Sequence, residues 1–284
     1  MSEADLQRRF GGLGRLYGET AALAIQGAHA VVVGVGGVGS WAVEALARSG
    51  VGRLTLIDMD HVSESNINRQ IHALGSTLGM SKIEAMRQRV LDIHPSCQVQ
   101  LIDDFVTPDN VQTLLSAACH GLGAVGVVID ACDQVRAKVA IAAWALAQRC
   151  PLLVVGAAGG KRLAHAVEVA DLAAVTHDRL LAQVRHDLRK HHLAARQGKV
   201  GVTCVYSREP VTRPQAACAT DASAPTDASL NCHGYGSAVT VTATFGLVAA
   251  GLAINTLSKN VDLLSAEAKT EKMTLYFEAS QRTT

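Results

Sequence analysis

The chain has 284 residues, 49% of them hydrophobic, so it can bury a full core without disulfides or a structural metal. Its 26 Lys and Arg residues balance 25 Asp and Glu residues, which excludes nucleic-acid binding by overall charge and leaves only a local basic patch for that purpose. Seven cysteines without a C-x-x-C pair argue against a disulfide framework and a four-cysteine zinc site.

The N-terminal segment 1–10 is charged and lacks the apolar run of a secretory signal, which predicts a cytoplasmic protein. The first regular unit is a strand over His29–Val33, a glycine turn, a helix over 40–49 and a strand over Arg53–Ile57. Such a βαβ unit predicts two parallel strands joined by a right-handed crossover.

The same alternation continues to residue 155. Thr107 and Pro108 predict a helix start, with Thr107 as N-cap and Pro108 at the first helical position. The remaining predicted elements are helices over 80–93 and 135–149 and strands over 99–102, 125–129 and 152–155. Strands alternating with helices predict an α/β fold with a Rossmann-like, doubly wound and mostly parallel sheet.

After residue 160 the pattern loosens. We predict strands over 166–169 and 202–206, a helix over 176–195, and a flexible loop at about 212–231 because residues 214–229 lack periodicity. The expected organisation is a nucleotide-binding half, 1–160, and a C-terminal substrate or dimerisation half, 161–284, in one continuous domain.

Residues 238–257 contain no charge and have about the length of a membrane-spanning helix. Several Thr and Gly residues make the stretch only moderately apolar, which favours a buried core helix or a subunit-interface helix. Membrane contact is the alternative.

The glycine turn carries the clearest chemical signal. Gly34, Gly36, Gly37 and Gly39 stand where a strand passes into a helix, and Asp58 follows about twenty residues later. Glycines let the backbone approach a phosphate at a helix N-terminus, and the carboxylate meets ribose hydroxyls. The pattern predicts a nucleotide site, against the alternative of a merely tight turn, and does not separate NAD from ATP.

Two cations follow this turn, Arg69 and Lys82. An adenylating enzyme must neutralise the β and γ phosphates as pyrophosphate leaves, whereas a dehydrogenase has little use for such charges. Each cation alone is equally consistent with a solvated charge on the protein surface. Together they favour ATP.

Asp130 and Asp133 close the fourth strand, at the sheet edge where ligands of open α/β sheets bind. Asp133 is a candidate ligand for Mg²⁺ against the triphosphate. The alternative makes Asp133 the N-cap of the next helix.

Over the first 160 residues these motifs resemble the ubiquitin-activating, sulfur-carrier-adenylating superfamily of ThiF type. The matching positions are Gly34 to Gly39, Asp58, Asp60, Asn66 to Gln70, Lys82 and Asp130 to Asp133. Longer segments are similar to the family of bacterial tRNA threonylcarbamoyladenosine dehydratases. These segments are 9–12, 69–74, 103–110, 199–204 and 240–246.

That resemblance implies an ATP-dependent enzyme that adenylates the carboxylate of threonylcarbamoyladenosine in tRNA, after which an internal nitrogen displaces AMP and closes a ring. By motif, the cofactor-binding residues are Gly34, Gly36, Gly37, Gly39, Asp58, Asp60, Asn66, Arg69, Gln70 and Lys82, and the catalytic residues are Arg69, Lys82, Asp133 and Arg9. Asn66 and Gln70 would orient the phosphates, and Asp133 would hold the metal. Arg9 or Arg15 would reach the ATP of a partner subunit in a homodimer.

The implied cofactors are ATP and Mg²⁺, without zinc; a monovalent cation and a sulfur-mobilising partner protein stay open. The chain departs from the wider superfamily because it lacks paired zinc cysteines and a clearly matching thioester cysteine. Cys204 and Cys232 read as inert thiols or as thiols of unknown role. The second interpretation is an activator of a ubiquitin-like sulfur carrier, and the third is an NAD-dependent oxidoreductase or a non-catalytic nucleotide-binding module.

For the tRNA, Arg185, Arg189, His192 and Arg196 recur at helical spacing and predict a basic stripe. A solvated face beside apolar core positions is an equal alternative.

Overall fold

The computed structural model describes residues 5–212 and 235–259, and a seven-stranded sheet runs through it. In chain order the strands are β1 (His29–Val33), β2 (Arg53–Ile57), β3 (Gln98–Ile102), β4 (Val127–Asp130), β5 (Leu152–Val155), β6 (Val167–Asp171) and β7 (Thr203–Ser207). The order across the sheet is β3-β2-β1-β4-β5-β7-β6. All neighbours are parallel except the edge strand β6, which is antiparallel to β7.

Eight α-helices accompany the strands in the described part of the chain. They are α1 (Leu6–Tyr17), α2 (Glu19–Gln26), α3 (Gly39–Arg48), α4 (Lys82–Ile93), α5 (Val111–Leu122), α6 (Val135–Gln148), α7 (Arg179–His191) and α8 (Val239–Leu257). Short 3-10 turns lie at Glu64–Asn66, Gly75–Thr77 and Ala164–Ala166.

Both faces of the sheet are covered by helices. Along β1, Ala30 and Val32 pack into the core beneath α3 and α8, whereas Val31 and Val33 pack into the core beneath α5 and α6. Successive strand residues point to opposite faces, so a strand buried on both sides reads as a continuous apolar run. This explains why β1, β2 and β5 have the predicted bounds, and the predicted doubly wound α/β sheet is confirmed.

The helix predicted to start at Thr107 and Pro108 begins later, at Val111. The backbone N–H of Thr107 donates to Oδ1 of Asn110 at 2.7 Å, and the N–H of Asn110 donates back to Oγ1 of Thr107 at 3.3 Å. These reciprocal bonds have the pattern of a capping box around Thr107, and the N–H of Val111 donates to the carbonyl of Thr107 at 3.0 Å. The predicted helix start at Pro108 was therefore wrong for the regular helix, although Thr107 makes the hydrogen bonds of the predicted cap.

The basic helix is also shorter than predicted, because α7 begins after Asp178 and ends at His191. The side chain of Asp178 caps it by accepting the N–H of Leu181 at 3.0 Å. Leu193 has a left-handed φ of 55°, so the chain has left the helix before Arg196.

Helix α8 packs against α3 through a small residue. A Cβ at Gly246 would collide with the carbonyl of Val38 and lie 2.9 Å from Cβ of Trp41. Phe245 and Ala249 bury the inner face of α8. The helix is long and apolar enough to cross a membrane, and one face of it is buried in the protein.

The sheet continues across residue 160, because β5 pairs with β7 from the C-terminal half. The division into halves at that residue stays a prediction. The loop predicted at about 212–231 and the thiols of Cys218 and Cys232 lie outside the described residues, apart from Thr212 at the loop's start.

Candidate active site

The carboxyl ends of β1 and β4 are adjacent, and the strand order reverses between them, because β2 continues on one side and β5 on the other. A cavity of about 930 Å³ opens there. It is lined by most of the predicted residues: Gly34, Gly36, Gly37, Asp58, Asp60, Asn66, Arg69, Gln70, Lys82 and Asp133. Open α/β sheets bind ligands at this crevice.

Backbone segments approach one another closely at the glycine turn. Gly34 has φ of +84°, and a Cβ on it would lie 2.8 Å from the backbone N of Cys132. A Cβ on Gly39 would overlap the carbonyl oxygen of Gly34, although Gly39 itself does not line the cavity. Helix α3 begins at Gly39 without a side-chain cap, and Gly36, Gly37 and Val38 just before it line the cavity, so this helix N-terminus is suited to an anion.

Asp58 ties this turn to the end of β2. Its Oδ2 accepts the backbone N–H of Val35 at 2.6 Å, and its Oδ1 accepts the backbone N–H of Asp60 at 2.9 Å. Burial raises the pKa of Asp58, against the opposing effects of Lys82 and of these two hydrogen bonds. The carboxylate therefore shapes the turn and, with its remaining lone pairs, faces the cavity.

The segment that carries Arg69 is anchored to α3. The indole N–H of Trp41 donates to the carbonyl of Arg69 at 2.9 Å. The guanidinium of Arg69 donates to the carbonyl of Ser65 at 2.6 Å and to Oδ1 of Asn68 at 3.0 Å. These bonds hold Arg69 beside the glycine turn, with its Cγ 3.2 Å and its Nε 3.5 Å from the position of a Cβ on Gly37.

The two predicted amides differ in how much of their hydrogen bonding is satisfied. Oδ1 of Asn66 accepts the N–H of Ser63 at 3.0 Å, which closes a turn. Oε1 of Gln70 is buried and has no partner within residues 5–212 and 235–259. A buried amide oxygen without a partner is costly, so Gln70 is suited to a ligand donor or a water in the cavity.

Lys82 stands at the start of α4 and forms an ion pair with Asp60. Its Nζ lies 2.6 Å from Oδ2 of Asp60, and its side chain is 8% exposed against 52% for the carboxylate. A nearly buried ammonium needs an anionic partner. Within the described residues Asp60 fills that role, and a phosphate could replace it.

A second ion pair, Asp130 with Lys138, lies beneath the cavity and is fully buried. Nζ of Lys138 donates to Oδ1 of Asp130 at 3.1 Å, and the thiol of Cys132 donates to the same oxygen at 2.9 Å. Burial alone would lower the pKa of Lys138, but the Asp130 carboxylate outweighs it and the pKa is raised. Burial, followed by the charge of Asp130, raises the pKa of Cys132, so its thiol stays protonated.

Asp133 is exposed and lines the cavity, and the N-cap position of α6 belongs to Gln134. The alternative interpretation of Asp133 as the N-cap was therefore wrong. No group of three or more His, Cys, Asp or Glu side chains with metal-binding geometry occurs among the residues described. Mg²⁺ does not require one, since it is commonly held by one or two carboxylates, substrate phosphates and water.

Sequence reasoning missed three residues of this site. Arg136 and Phe105 line the cavity, and Lys138 neutralises Asp130 beneath it. Arg136 and Lys138 lie at the start of α6, just after the end of β4, and this position could have identified them as site residues. They lie on different faces of α6, so Lys138 is buried and Arg136 is exposed.

Arg9 does not line the cavity of its own chain. Its guanidinium donates to the carbonyls of Asp92 and Ile93 at 3.0 and 2.6 Å, at the end of α4. Arg15 is exposed in the last turn of α1.

The predicted basic stripe is wrong as a single helical face. Arg196 lies beyond the end of α7, and Arg185 donates to the carbonyls of Leu172 and Val175 within the protein. Cys204 is fully buried, and burial raises the pKa of its thiol, so it has neither the exposure nor the acidity of a thioester nucleophile.

Comparisons with known proteins agree with this geometry. The model of the ThiF family matches residues 11–283. The tRNA threonylcarbamoyladenosine dehydratase of Escherichia coli is 45% identical over 87% of this chain and 92% of its own length. The dehydratase of the same name from Haemophilus influenzae is 41% identical over 90% of this chain and 95% of its own. A crystal structure of the Escherichia coli dehydratase in complex with ATP has a TM-score of 0.79 at 42% identity, over 92% of this chain and 99% of that one.

Proposed function

The chain belongs to the ThiF family, and from that premise we propose that it is an ATP-dependent dehydratase of threonylcarbamoyladenosine in tRNA. The observation that carries the proposal is the likeness over nearly the whole length to dehydratases of that name, one of them crystallised with ATP. The cavity at the glycine turn is the place where this chain binds the nucleotide. The enzyme works in the cytoplasm.

The triphosphate lies over the first turn of α3, where uncapped backbone N–H groups and the helix dipole favour negative charge. Asp58 binds the ribose with the lone pairs that the backbone leaves free. Arg69 and Lys82 contact the β and γ phosphates. The side-chain amide of Gln70 forms a hydrogen bond beside them. Two observations support these roles. The four side chains, of Asp58, Arg69, Gln70 and Lys82, line one cavity, and the ammonium of Lys82 is nearly buried.

Magnesium is held by Asp133, an exposed carboxylate at the edge of the cavity. The donor chemistry fits a hard cation, because the Asp133 carboxylate lines the cavity and offers oxygen ligands, which substrate phosphates and water would complete. When bound, the ion neutralises charge on the phosphate oxygens.

The chemistry has two displacements. A carboxylate oxygen of the threonylcarbamoyl group attacks the α-phosphorus, the bond to the bridging oxygen breaks, and pyrophosphate leaves. A nitrogen of the same substrate then attacks the activated carbonyl carbon, loses its proton, and AMP leaves with the oxygen that came from the carboxylate. The substrate loses one water overall, and ATP becomes AMP and pyrophosphate.

The protein contributes electrostatics and positioning to these steps. Arg69 and Lys82 stabilise charge that develops on the departing pyrophosphate, which is a common way to lower such a barrier. The ion pair of Lys138 with Asp130 fixes the floor of the cavity between β4 and α6. Burial and the charge of Asp130 raise the pKa of Cys132, the cysteine that lines the cavity among the described residues, which argues against it as a thioester nucleophile.

The enzyme acts as a homodimer in which Arg9 or Arg15 of one protomer approaches the ATP of the other. The support is an exposed apolar surface on neighbouring helices, with Leu16 of α1 74% exposed, Leu23 of α2 58% exposed and Leu247 of α8 50% exposed. Contiguous exposed apolar side chains are typical of interaction surfaces.

The test is incubation of the protein with ATP and tRNA that carries threonylcarbamoyladenosine, followed by mass spectrometry of the nucleosides. We expect loss of one water from the modified adenosine and one pyrophosphate for each product. An unchanged nucleoside would contradict the proposal. Pyrophosphate release that depends on a small protein with a C-terminal glycine would replace it with sulfur-carrier activation, and NAD in the cavity would replace it with a dehydrogenase.

A further inference from the structure

A second, smaller groove adjoins the nucleotide cavity. It lies between α5 and α6, next to His192 at the end of α7, and has a volume of about 250 Å³. Pro108 and Arg136 line both cavities, so the two share a wall. Pockets for whole small molecules usually measure about 300–1,000 Å³, so this groove is suited to a single flat ring rather than a complete nucleotide.

The groove has an apolar floor and a polar, cationic rim. Small side chains of α6 leave a slot beside Trp144, and the alanines that form it are Ala140, Ala143 and Ala147. The indole N–H of Trp144 is buried and finds no acceptor in the described part of the chain. Gln112 and Gln148 add amide groups at the rim, and the shared Arg136 is exposed.

We propose that this groove binds the nucleobase next to the modified adenosine of the tRNA. The proposal rests on the proposed function, since it assigns a second subsite to the same substrate. Entry of the threonylcarbamoyl group into the main cavity draws its adenine towards the cavity, and an adenine that leaves its stack leaves the neighbouring base without a stacking partner. An aromatic floor with amide groups at its edge supplies a new partner together with hydrogen bonds to the base edge.

Charge complementarity favours a polynucleotide over an apolar partner. Arg136 and His192 stand at the groove itself, and Lys190, His191 and Arg196 are exposed on the chain beside it. A tRNA strand that runs from the main cavity to the groove crosses the wall formed by Pro108 and Arg136. Phosphate contacts along such a path contribute affinity for the tRNA, and the base bound in the groove positions the modified adenosine.

The test uses a variant that fills the slot. Ala147 is exposed and lines only the groove, so Ala147→Leu is expected to fold normally while it blocks a ring. The matched control is Ala182→Leu, at an exposed position of α7 that lines neither cavity. The substrates are the tRNA stem-loop with the modified adenosine and two versions with an abasic residue on its 5′ or its 3′ side.

With the wild-type protein, we expect one of the two abasic substitutions to lower kcat/KM by roughly 10-fold, within the range measured for one stacked base. Ala147→Leu lowers kcat/KM on the intact stem-loop by a similar factor, and the abasic substitution then has no further effect. The control variant behaves like wild type, and the affinity for ATP is the same in all three proteins.

The proposal is overturned if Ala147→Leu turns over the intact stem-loop at the wild-type rate, or if the full abasic penalty persists in that variant. It is also overturned if the variant changes the oligomeric state on gel filtration, because the groove would then hold a second copy of the chain. A wild-type protein that leaves the intact stem-loop unchanged would instead contradict the proposed function.

Discussion

The Nζ atom of Lys82 lies 2.6 Å from Oδ2 of Asp60, and both side chains line the nucleotide cavity. The ammonium is nearly buried, whereas the carboxylate is half exposed. The ion pair holds the ammonium at the wall of the cavity. In the proposed function, a polyphosphate replaces Asp60 as the partner of Lys82.

Replacement of Lys82 by alanine tests this relationship. We expect Lys82→Ala to lower turnover by roughly 10²–10³, the usual loss when one positioned electrostatic group is removed. Pyrophosphate release with modified tRNA measures the effect. Lys259→Ala, at an exposed position just after α8 that lines neither cavity, is the control and should have normal turnover. Near-normal turnover of Lys82→Ala would remove that residue from the mechanism.

Replacement of Gly36 by alanine tests phosphate binding without a change in folding. A Cβ there meets only Nε2 of Gln70, at 3.9 Å, so Gly36→Ala fits the protein but occupies the space of a phosphate. We expect ATP affinity to fall by about 10-fold or more, corresponding to about 1.4 kcal/mol, with the thermal midpoint unchanged. Gly75→Ala, where a Cβ meets nothing within 4 Å, should change neither quantity. Unchanged ATP affinity of Gly36→Ala in a calorimetric titration would place the phosphates elsewhere.

The buried pair of Asp130 and Lys138 should be important for stability. Lys138→Met leaves a buried carboxylate without its cation, and we expect the free energy of unfolding to fall by about 3–5 kcal/mol. The double variant Asp130→Val with Lys138→Met removes both charges and should recover most of that loss. Urea denaturation of both variants measures this. A single variant as stable as wild type would mean that the pair is not buried in solution.

His72 should make stability depend on pH. Burial, with the charges of Lys82 and Arg89, lowers the pKa of His72 from 6.5 to about 4. The unfolded chain therefore binds this proton first, so the stability is full above pH 6.5 and is lost as the pH falls towards 4, by about 3 kcal/mol. Lowered pKa values of His29 and His94 act in the same direction.

His72→Leu should reduce this loss of stability between pH 7 and 4.5. The control His186→Leu, at an exposed position of α7, should keep the wild-type dependence. Urea midpoints at several pH values measure both. An identical slope in His72→Leu and wild type would show that the imidazole is hydrated in the folded protein.

The sequence was most informative where local chemistry determines the structure. Strands His29–Val33 and Arg53–Ile57 are apolar runs that end at a glycine or an aspartate, and they were predicted at their observed bounds. The first residue of a regular helix was less predictable. Thr107 and Asn110 exchange the hydrogen bonds of a capping box, yet the regular helix α5 begins only at Val111.

The site was predictable to the extent that its residues follow a strand end or the glycine turn. Asp58, Arg69 and Lys82 line one cavity, and their roles there stay predictions. Lys138 was missed because its role depends on its burial against Asp130, and no spacing rule gives that. The antiparallel direction of β6 was likewise unpredictable, since it is set by the return path to β7 rather than by its own residues.

The most direct measurement of the central claim follows one oxygen atom. The modified tRNA is prepared with heavy oxygen in the carboxylate of its threonylcarbamoyl group and turned over once with unlabelled ATP. Adenylation predicts AMP that carries one heavy oxygen, together with unlabelled pyrophosphate and a dehydrated nucleoside. Unlabelled AMP, or ADP with labelled phosphate, would contradict activation of that carboxylate at the α-phosphate.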